Sequence, residues 1–241
     1  MLAAMAVVTL APWGCAVGLP HVREWPAQLL APAAGPTRAA PSDGASASRP
    51  AWLSDSQWQT VLAGDLVTQP ITFSIRSGDY IGGVAVMFVH APPDVVGNYI
   101  SDVSTLPKWL PLTKRAAYIG KAGCDVTIEL EQGLDIYSRT YSIHAFRVGN
   151  MVQWRLDPSR PHDIDDLWGY FRARPFKGGT LLIMGITADL RMGPAAVIFE
   201  DRVLQRLLQL PNDVRLGVEG YVIGLTQRAA AGQLPCVLPA P

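Results

Sequence analysis

The sequence predicts an α+β domain: a curved antiparallel sheet around a long C-terminal helix, with two short helices after the first strands. Two observations predict this class. Downstream of Leu112, apolar residues recur with a period of two in consecutive segments that short turns separate, as in an antiparallel meander. Residues 193–225 instead carry apolar residues at helical spacing. That stripe is the surface available to cover one face of the sheet.

The first elements are a helix and a pair of strands. "LSDSQWQTVLAGD" predicts a short opening helix with Ser54 or Asp55 as its N-cap. "ITFSIRSGDYIGGVAVMFVH" predicts two strands joined at the turn-forming residues 77–79. Residues 84–89 of the second strand are apolar at successive positions, so we expect other elements to cover both faces of this strand.

The stretch "HAPPDVVGNYISDVSTLPKWLP" predicts a helix followed by a tight turn. Pro92 and Pro93 suit the start of a helix, where a missing N–H costs nothing. Apolar residues then recur at helical spacing up to residue 103, and Pro107 and Pro111 prevent a long continuation. The turn should present Trp109 between Leu106 and Leu110.

Alternating segments follow. "DVTIELEQ" places valine, isoleucine and leucine on one face and polar side chains on the other. Further strands are predicted for "YSRTYSIHAFRV", "MVQWRLD", "LWGYFRARPF" and "TLLIMGITADL". Turn residues at 149–150, 158–161 and 177–179 separate them. Short connections indicate an antiparallel run of five or six strands.

The last element is an amphipathic helical segment. Its apolar stripe consists of Phe199, Val203, Leu207, Leu210, Val214, Val218 and Tyr221. Pro211 removes one backbone hydrogen bond and should kink or break the helix into two pieces. A sheet that curls away from a straight helix leaves a gap, and such a gap is a natural apolar pocket.

Composition excludes several classes of protein. Of the 241 residues, 49% are apolar and 17% are charged, which is typical of a folded chain with a large core. The formal net charge is zero and no basic block occurs, so a dedicated nucleic-acid binder is not expected. The three cysteines, Cys15, Cys124 and Cys236, show no zinc-binding spacing.

The chain divides into four parts. Residues 1–20 are interpreted as a signal or membrane-tether segment, which predicts export to a periplasm or attachment to a membrane. The positively charged start that is usual for such segments is missing, and a cytoplasmic location is the alternative. Residues 21–50 form a linker rich in Ala, Pro and Ser. Residues 51–228 form the folded domain, and 229–241 a disordered tail.

In their order and spacing these segments resemble the START-like superfamily, also called SRPBCC or Bet v 1-like, which has the helix-grip fold. The resemblance covers roughly residues 62–222. It is carried by "VMFVHAPPDVVGNYISDVSTLPKWLP", "IYSRTYSI", "VQWRLDP", "DDLWGYFRARPFKGGTLLIMGI" and "LPNDVRLGVEGYV". The most similar members are polyketide cyclase/dehydrase-like or coenzyme Q-binding-like proteins.

The resemblance implies a START-like ligand-binding domain whose cavity, between sheet and helix, takes a lipid, sterol, quinone or polyketide. It implies no cofactor. Together with the N-terminal segment, the resemblance leads us to expect contact with a membrane. Ligand-contacting residues are predicted at Trp109, Tyr137, Arg139, Tyr141, Phe171, Met184, Phe199 and Val203. Each has an alternative role in ordinary packing, or for Arg139 as a rim residue with a solvated head.

Three functions follow as hypotheses. The first is a non-enzymatic carrier of an apolar molecule, since no coherent catalytic set occurs. The second is a cyclase or aromatase, which needs a His, Tyr or Arg in the cavity; His90 and His144 have no partner carboxylate identifiable from spacing. The third is an interaction module whose pocket is filled by Phe88, Phe171 and Met184. The acidic cluster around His162 fits a surface loop better than a metal site.

Overall fold

A computed structural model describes residues 49–75, 78–122, 125–134, 137–190 and 197–230. The helices are α1 (Asp55–Leu62), α2 (Pro93–Ser101), α3 (Leu106–Trp109), α4 (Val197–Leu208) and α5 (Leu210–Ala230). The strands are β1 (Val67–Ile75), β2 (Gly78–Val89), β3 (Thr113–Ala122), β4 (Asp125–Leu134), β5 (Tyr137–Val148), β6 (Met151–Leu156), β7 (Asp166–Phe176) and β8 (Gly179–Asp189). The segments interpreted as tether, linker and tail lie outside these ranges except for residues 49–50 and 229–230, of which the last two belong to α5. All three cysteines lie outside them.

The strands form one antiparallel sheet in the order β1-β2-β8-β7-β6-β5-β4-β3. Strands β3 to β8 are a meander in which each pairs with the next. The hairpin of β1 and β2 extends this meander at the β8 edge, because β2 pairs with β8, with Val84 opposite Gly185 and Val89 opposite Thr180. The predicted antiparallel sheet is confirmed, and it has eight strands.

Both faces of the sheet are covered near β2 and β8. Every residue of β8 is buried. On the inner face, α4 and α5 pack with α2 and α3 in one large cluster that includes Met184 and Val214. On the outer face, α1 packs its Val61 against Val86 in a second cluster. The expectation that other elements cover both faces of residues 84–89 is therefore confirmed.

The opening helix begins where its cap predicts. The Ser54 side chain accepts a hydrogen bond of 3.2 Å from the backbone N–H of Gln57, and the Gln57 side chain accepts one of 2.9 Å from the N–H of Ser54. This capping box satisfies two N–H groups that the first turn leaves without helical partners. It fixes α1 on the outer face.

Replacing Ser54 with alanine should lower the free energy of unfolding by about 1 kcal/mol, because one N–H of the first turn loses its acceptor. Urea unfolding followed by circular dichroism measures this loss. Ser74, exposed on β1, provides the control, since Ser74→Ala removes a hydroxyl that caps no helix. Equal stability of Ser54→Ala and the unmodified chain would contradict the role assigned to the cap.

The proline-rich stretch forms the elements that its sequence predicts. Helix α2 begins at Pro93, and a short 3-10 turn over residues 103–105 leads into α3. Trp109 ends α3 and is only 4% exposed, with its Nε1–H donating to the hydroxyl of Thr105 over 3.2 Å. The turn therefore holds the indole against the inner face of the sheet.

The C-terminal segment is broken into two helices, as Pro211 predicts. The break falls at Gln209, and Pro211 is the second residue of α5, where its missing N–H costs no helical bond. The predicted stripe is partly wrong at its end, because Tyr221 is 50% exposed. In α4 the buried positions are Leu204 and Leu208, one residue further along than the predicted ones.

Candidate ligand-binding cavity

A cavity of about 760 Å³ lies between the inner face of the sheet and the C-terminal helices. Strands β3 to β8 contribute one wall, α4 and the start of α5 the opposite wall, and α2, α3 and residues 110–112 one end. This volume is in the range of sites that hold one small organic molecule. The gap expected between a curved sheet and a helix is present.

The wall formed by the sheet is apolar because the apolar side chains of the alternating strands lie on the face towards the cavity. Val126, Ile128 and Leu130 of β4 line the cavity, whereas Thr127, Glu129 and Glu131 do not. On β5 the inward positions include Ile143 and Ala145. The same alternation that predicts the strands therefore supplies the apolar surface.

Two indole rings form part of the wall, and the ring of Phe171 lies behind them. Trp109 and Trp154 both line the cavity. Phe171 lies against both indoles, with ring centroids 5.6 Å from Trp109 in an edge-to-face arrangement and 5.3 Å from Trp154. Phe171 is 1% exposed and is not among the lining residues. It therefore holds the two indoles in place and does not occupy the cavity.

A small polar group interrupts the apolar surface. The Tyr141 hydroxyl donates to the side-chain carbonyl of Gln132, whose amide donates to the backbone oxygen of Pro111 over 3.0 Å and to the hydroxyl of Thr113 over 3.2 Å. Gln132 and Tyr141 both line the cavity. Burial raises the pKa of Tyr141 well above the ordinary value of 10.0, so the phenol stays neutral and can act as a hydrogen-bond donor.

Stability should therefore fall in alkaline solution partly through Tyr141. Above about pH 10 the unfolded phenol ionises while the folded one keeps its proton, so the free energy of unfolding declines by about 1.4 kcal/mol per pH unit for this group. Tyr141→Phe should remove that share of the slope between about pH 10 and 11.5 in chemical denaturation. The exposed Tyr221→Phe serves as the control. Identical slopes for Tyr141→Phe and the unmodified chain would refute the effect.

The charged residues that line the cavity are arginines. Arg139 and Arg147 come from β5, and Arg202 and Arg206 from α4. No aspartate or glutamate lines the cavity within the described ranges. Arg139 donates to the backbone oxygen of Asp163, and Arg147 donates to the side chain of Asn98 over 2.7 Å. The site thus combines apolar walls with positive charge.

The predicted ligand-contacting residues fall into three groups. Trp109, Arg139, Tyr141 and Val203 line the cavity, so the structure brings these four together. Phe171 and Met184 are fully buried in the core and do not line it, because the rings of the wall lie in front of Phe171 and the core cluster encloses Met184. The side chains of Tyr137 and Phe199 lie outside the described part of the chain. Contact of any of these residues with a ligand stays a prediction.

Several lining residues have no counterpart among the predicted ones. Those with polar or charged side chains include Gln132, Tyr118, Arg147, Arg202 and Arg206. Arg202 and Arg206 directly precede Val203 and Leu207 of the predicted apolar stripe, which is the signal that could have identified them. Polar residues beside a stripe are normally assigned to solvent.

Two histidines have carboxylate partners that sequence spacing does not reveal. His144 Nε2 lies 3.2 Å from Asp157, and His90 Nδ1 lies 3.2 Å from Glu219. Burial raises the pKa of Asp157, but hydrogen bonds from Ser159 and the charges of His144 and Arg160 outweigh burial, and the pKa is lowered overall. Neither histidine lines the cavity, so neither pair is placed to act on a molecule inside it.

Two acidic residues near His162 accept hydrogen bonds from other strands of the sheet. The carboxylate of Asp163 accepts from the backbone N–H of Thr140 over 2.8 Å, and that of Asp166 accepts from the Tyr80 hydroxyl over 2.8 Å. Within the described ranges, no three His, Cys, Asp or Glu side chains come together as metal ligands. Asp163 and Asp166 therefore connect the segment around His162 to β5 and β2.

The sheet, the helices and the cavity together define a helix-grip fold around an apolar chamber. No family model and no curated protein matches the sequence. A solved structure from Thermus thermophilus matches with a TM-score of 0.50 and 15% identity, covering 59% of this chain and 97% of that one. The fold class predicted from the sequence is therefore confirmed, and at this identity the likeness concerns the fold alone.

Two further solved structures carry functional names. A STAR-related lipid transfer protein from Xanthomonas axonopodis is 11% identical, with a TM-score of 0.49 and coverage of 63% of this chain and 98% of that one. The Zhui aromatase/cyclase from Streptomyces sp. R1128 is 15% identical, with a TM-score of 0.46 and coverage of 64% and 99%. At such identities the similarity concerns the fold and not the activity.

Among the described residues, no helix combines the length and the hydropathy that a membrane crossing requires.

Proposed function

We propose that the protein binds a lipid or another apolar small molecule, such as a sterol, quinone or polyketide, in the cavity and acts as a non-enzymatic carrier. The observation that carries this proposal is the chamber of about 760 Å³, bounded by apolar residues of the sheet and of α4. Displacing water from apolar walls of this kind provides the free energy of binding. Supply to or from a membrane through the N-terminal segment is part of the same proposal.

A filled pocket is disfavoured by the positions of the bulky residues. Phe171 and Met184, two of those expected to fill it, are buried behind the wall, and Phe88 belongs to the outer face with Phe176 and α1. The side chains of Phe88, Phe171 and Met184 therefore do not fill the chamber. An interaction module with a solid core is the weaker interpretation.

A cyclase or aromatase is the second candidate, and one observation favours it. Arg139, Tyr141 and Gln132 line the same cavity, and a neutral phenol that exchanged its hydrogen bond to Gln132 for one to a ligand could, together with the arginine, polarise a carbonyl group of a polyketide. The histidines that could act as general bases are absent from the described lining. The carrier is preferred because a donor without a base completes no proton transfer.

The carrier is tested on the full chain, purified under native conditions and extracted with organic solvent, with mass spectrometry of the extract. In parallel, the neutral dye N-phenyl-1-naphthylamine is titrated into the delipidated protein. We expect a co-purified lipid-like molecule at near-equal stoichiometry, or saturable dye binding at one site. If no molecule co-purifies and the delipidated protein also fails to bind the dye, the proposal is overturned. Tyr141-dependent conversion of an added poly-β-ketone would favour the enzyme.

A further inference from the structure

We propose that the ligand is an anionic amphiphile, whose carboxylate or phosphate head is bound by Arg202 and Arg206 while its apolar tail enters the cavity. This inference rests on the proposed function and specifies the ligand class. It starts from a contrast in charge. The chain has 20 basic and 20 acidic residues, yet four arginines and no carboxylate are found among the described residues that line the cavity.

The four arginines cannot all bind one head group. Arg139 and Arg147 are eight residues apart on β5, which corresponds to roughly 26 Å along an extended strand. They therefore lie towards opposite ends of the cavity wall. Arg202 and Arg206 are separated by one turn of α4, so their side chains project from the same side of the helix about 6 Å apart. That spacing lets two guanidinium groups bind one anion.

The partners of the α4 pair leave hydrogen-bond donors available. Arg206 forms an ion pair with Asp213, at 3.1 Å from Nη2, which holds the guanidinium in position. Arg202 is exposed and forms no ion pair with any other described residue. Charge-assisted hydrogen bonds from arginine to a carboxylate or phosphate are the strong and geometrically specific kind. An anionic head is the ligand group that this pair would recognise.

The position of the pair explains why the head would be anionic and the tail apolar. Arg202 and Arg206 also line an outer groove of about 610 Å³ together with Thr68 and Pro70 of β1 and with Asp201, which is the one acidic residue among the described residues of that groove. They therefore lie at the boundary between the inner cavity and the outside. Val203 and Leu207, their neighbours on α4, line the inner cavity. A molecule bound across this boundary has its head at the rim and its tail among apolar residues.

The test uses the full chain with the neutral dye N-phenyl-1-naphthylamine bound and four competitors with the same ten-carbon tail: decanoate, decyl phosphate, 1-decanol and decyltrimethylammonium. We expect the two anions to displace the dye at concentrations about tenfold lower than the cation, because two guanidinium groups attract one charge and repel the other. The advantage should shrink as salt rises from about 50 to 500 mM, owing to screening. Comparing decanoate with decyl phosphate distinguishes a fatty-acid head from a phosphate head.

The matched variants are Arg202→Gln with Arg206→Gln, and Arg155→Gln as the control, since Arg155 is exposed on β6 and does not line the cavity. The double variant should lose the preference for anions, with decanoate binding about tenfold weaker and 1-decanol within about twofold. Dye binding without any preference for anions would overturn this inference but leave the carrier intact. An anion preference preserved in the double variant would also overturn this inference. If the unmodified chain bound neither the dye nor 1-decanol, the carrier itself would be refuted.

Discussion

Replacing Ala145 with phenylalanine should weaken binding of N-phenyl-1-naphthylamine by at least about tenfold. Ala145 is on β5, and its methyl group lines the cavity. A benzyl side chain at this position would project into the open chamber and occupy space that a ligand needs. Because it enters empty volume and not packed atoms, we expect the fold to persist. Dye titration measures the change in affinity.

The control for this experiment is Ala117→Phe. Ala117 lies on β3 opposite Glu129, on the face of the sheet that does not line the cavity. It should leave dye affinity within about twofold of the unmodified chain. Far-ultraviolet circular dichroism of both variants checks that the sheet is retained. If Ala145→Phe folds and binds the dye as tightly as Ala117→Phe does, the dye site is not this cavity.

Phe171→Ala should lower the free energy of unfolding by about 4 kcal/mol. The ring is 1% exposed and packs between two indoles, with centroid distances of 5.6 Å to Trp109 and 5.3 Å to Trp154. Its removal forfeits the transfer free energy of the ring and leaves a cavity that these indoles cannot fill without moving. Chemical denaturation followed by tryptophan fluorescence measures the loss.

Phe171→Leu separates packing from ring contacts, since it keeps most of the volume and should cost less than half as much. Dye affinity gives an independent measure of the position of Phe171. Because Phe171 lies behind the lining, Phe171→Leu should change dye affinity by no more than about threefold. A loss of stability below about 1 kcal/mol for Phe171→Ala would contradict its role as the support of the wall.

Local signals in the sequence predicted most of the elements. The cap at Ser54, the proline start of α2 and the alternation of β4 each act within a few residues, so their consequences can be inferred without knowing the rest of the fold. Strand β3 was not predicted individually, because "TKRAAYIGKA" shows no clean alternation and bulges disturb its pairing with β4. An edge strand needs fewer apolar residues to be held in place.

The site was predicted less completely, for a geometric reason. Alternation assigns Tyr141 and Phe171 to an inner face but does not show which inward side chain reaches open space. That depends on how far each strand curves away from α4. The partnership of His144 with Asp157 likewise requires the pairing of β5 with β6, which the two residues do not encode by themselves.

The pairing of β2 with β8 has a consequence for synthesis of the chain. These strands are separated by about 100 residues, so the first hairpin emerges from the ribosome long before the strand that completes its edge. Until then an apolar strand has unpaired N–H and C=O groups on one side, which is a template for pairing with other chains. The nascent protein should therefore need a chaperone over this interval, and refolding from denaturant should be slow and sensitive to protein concentration.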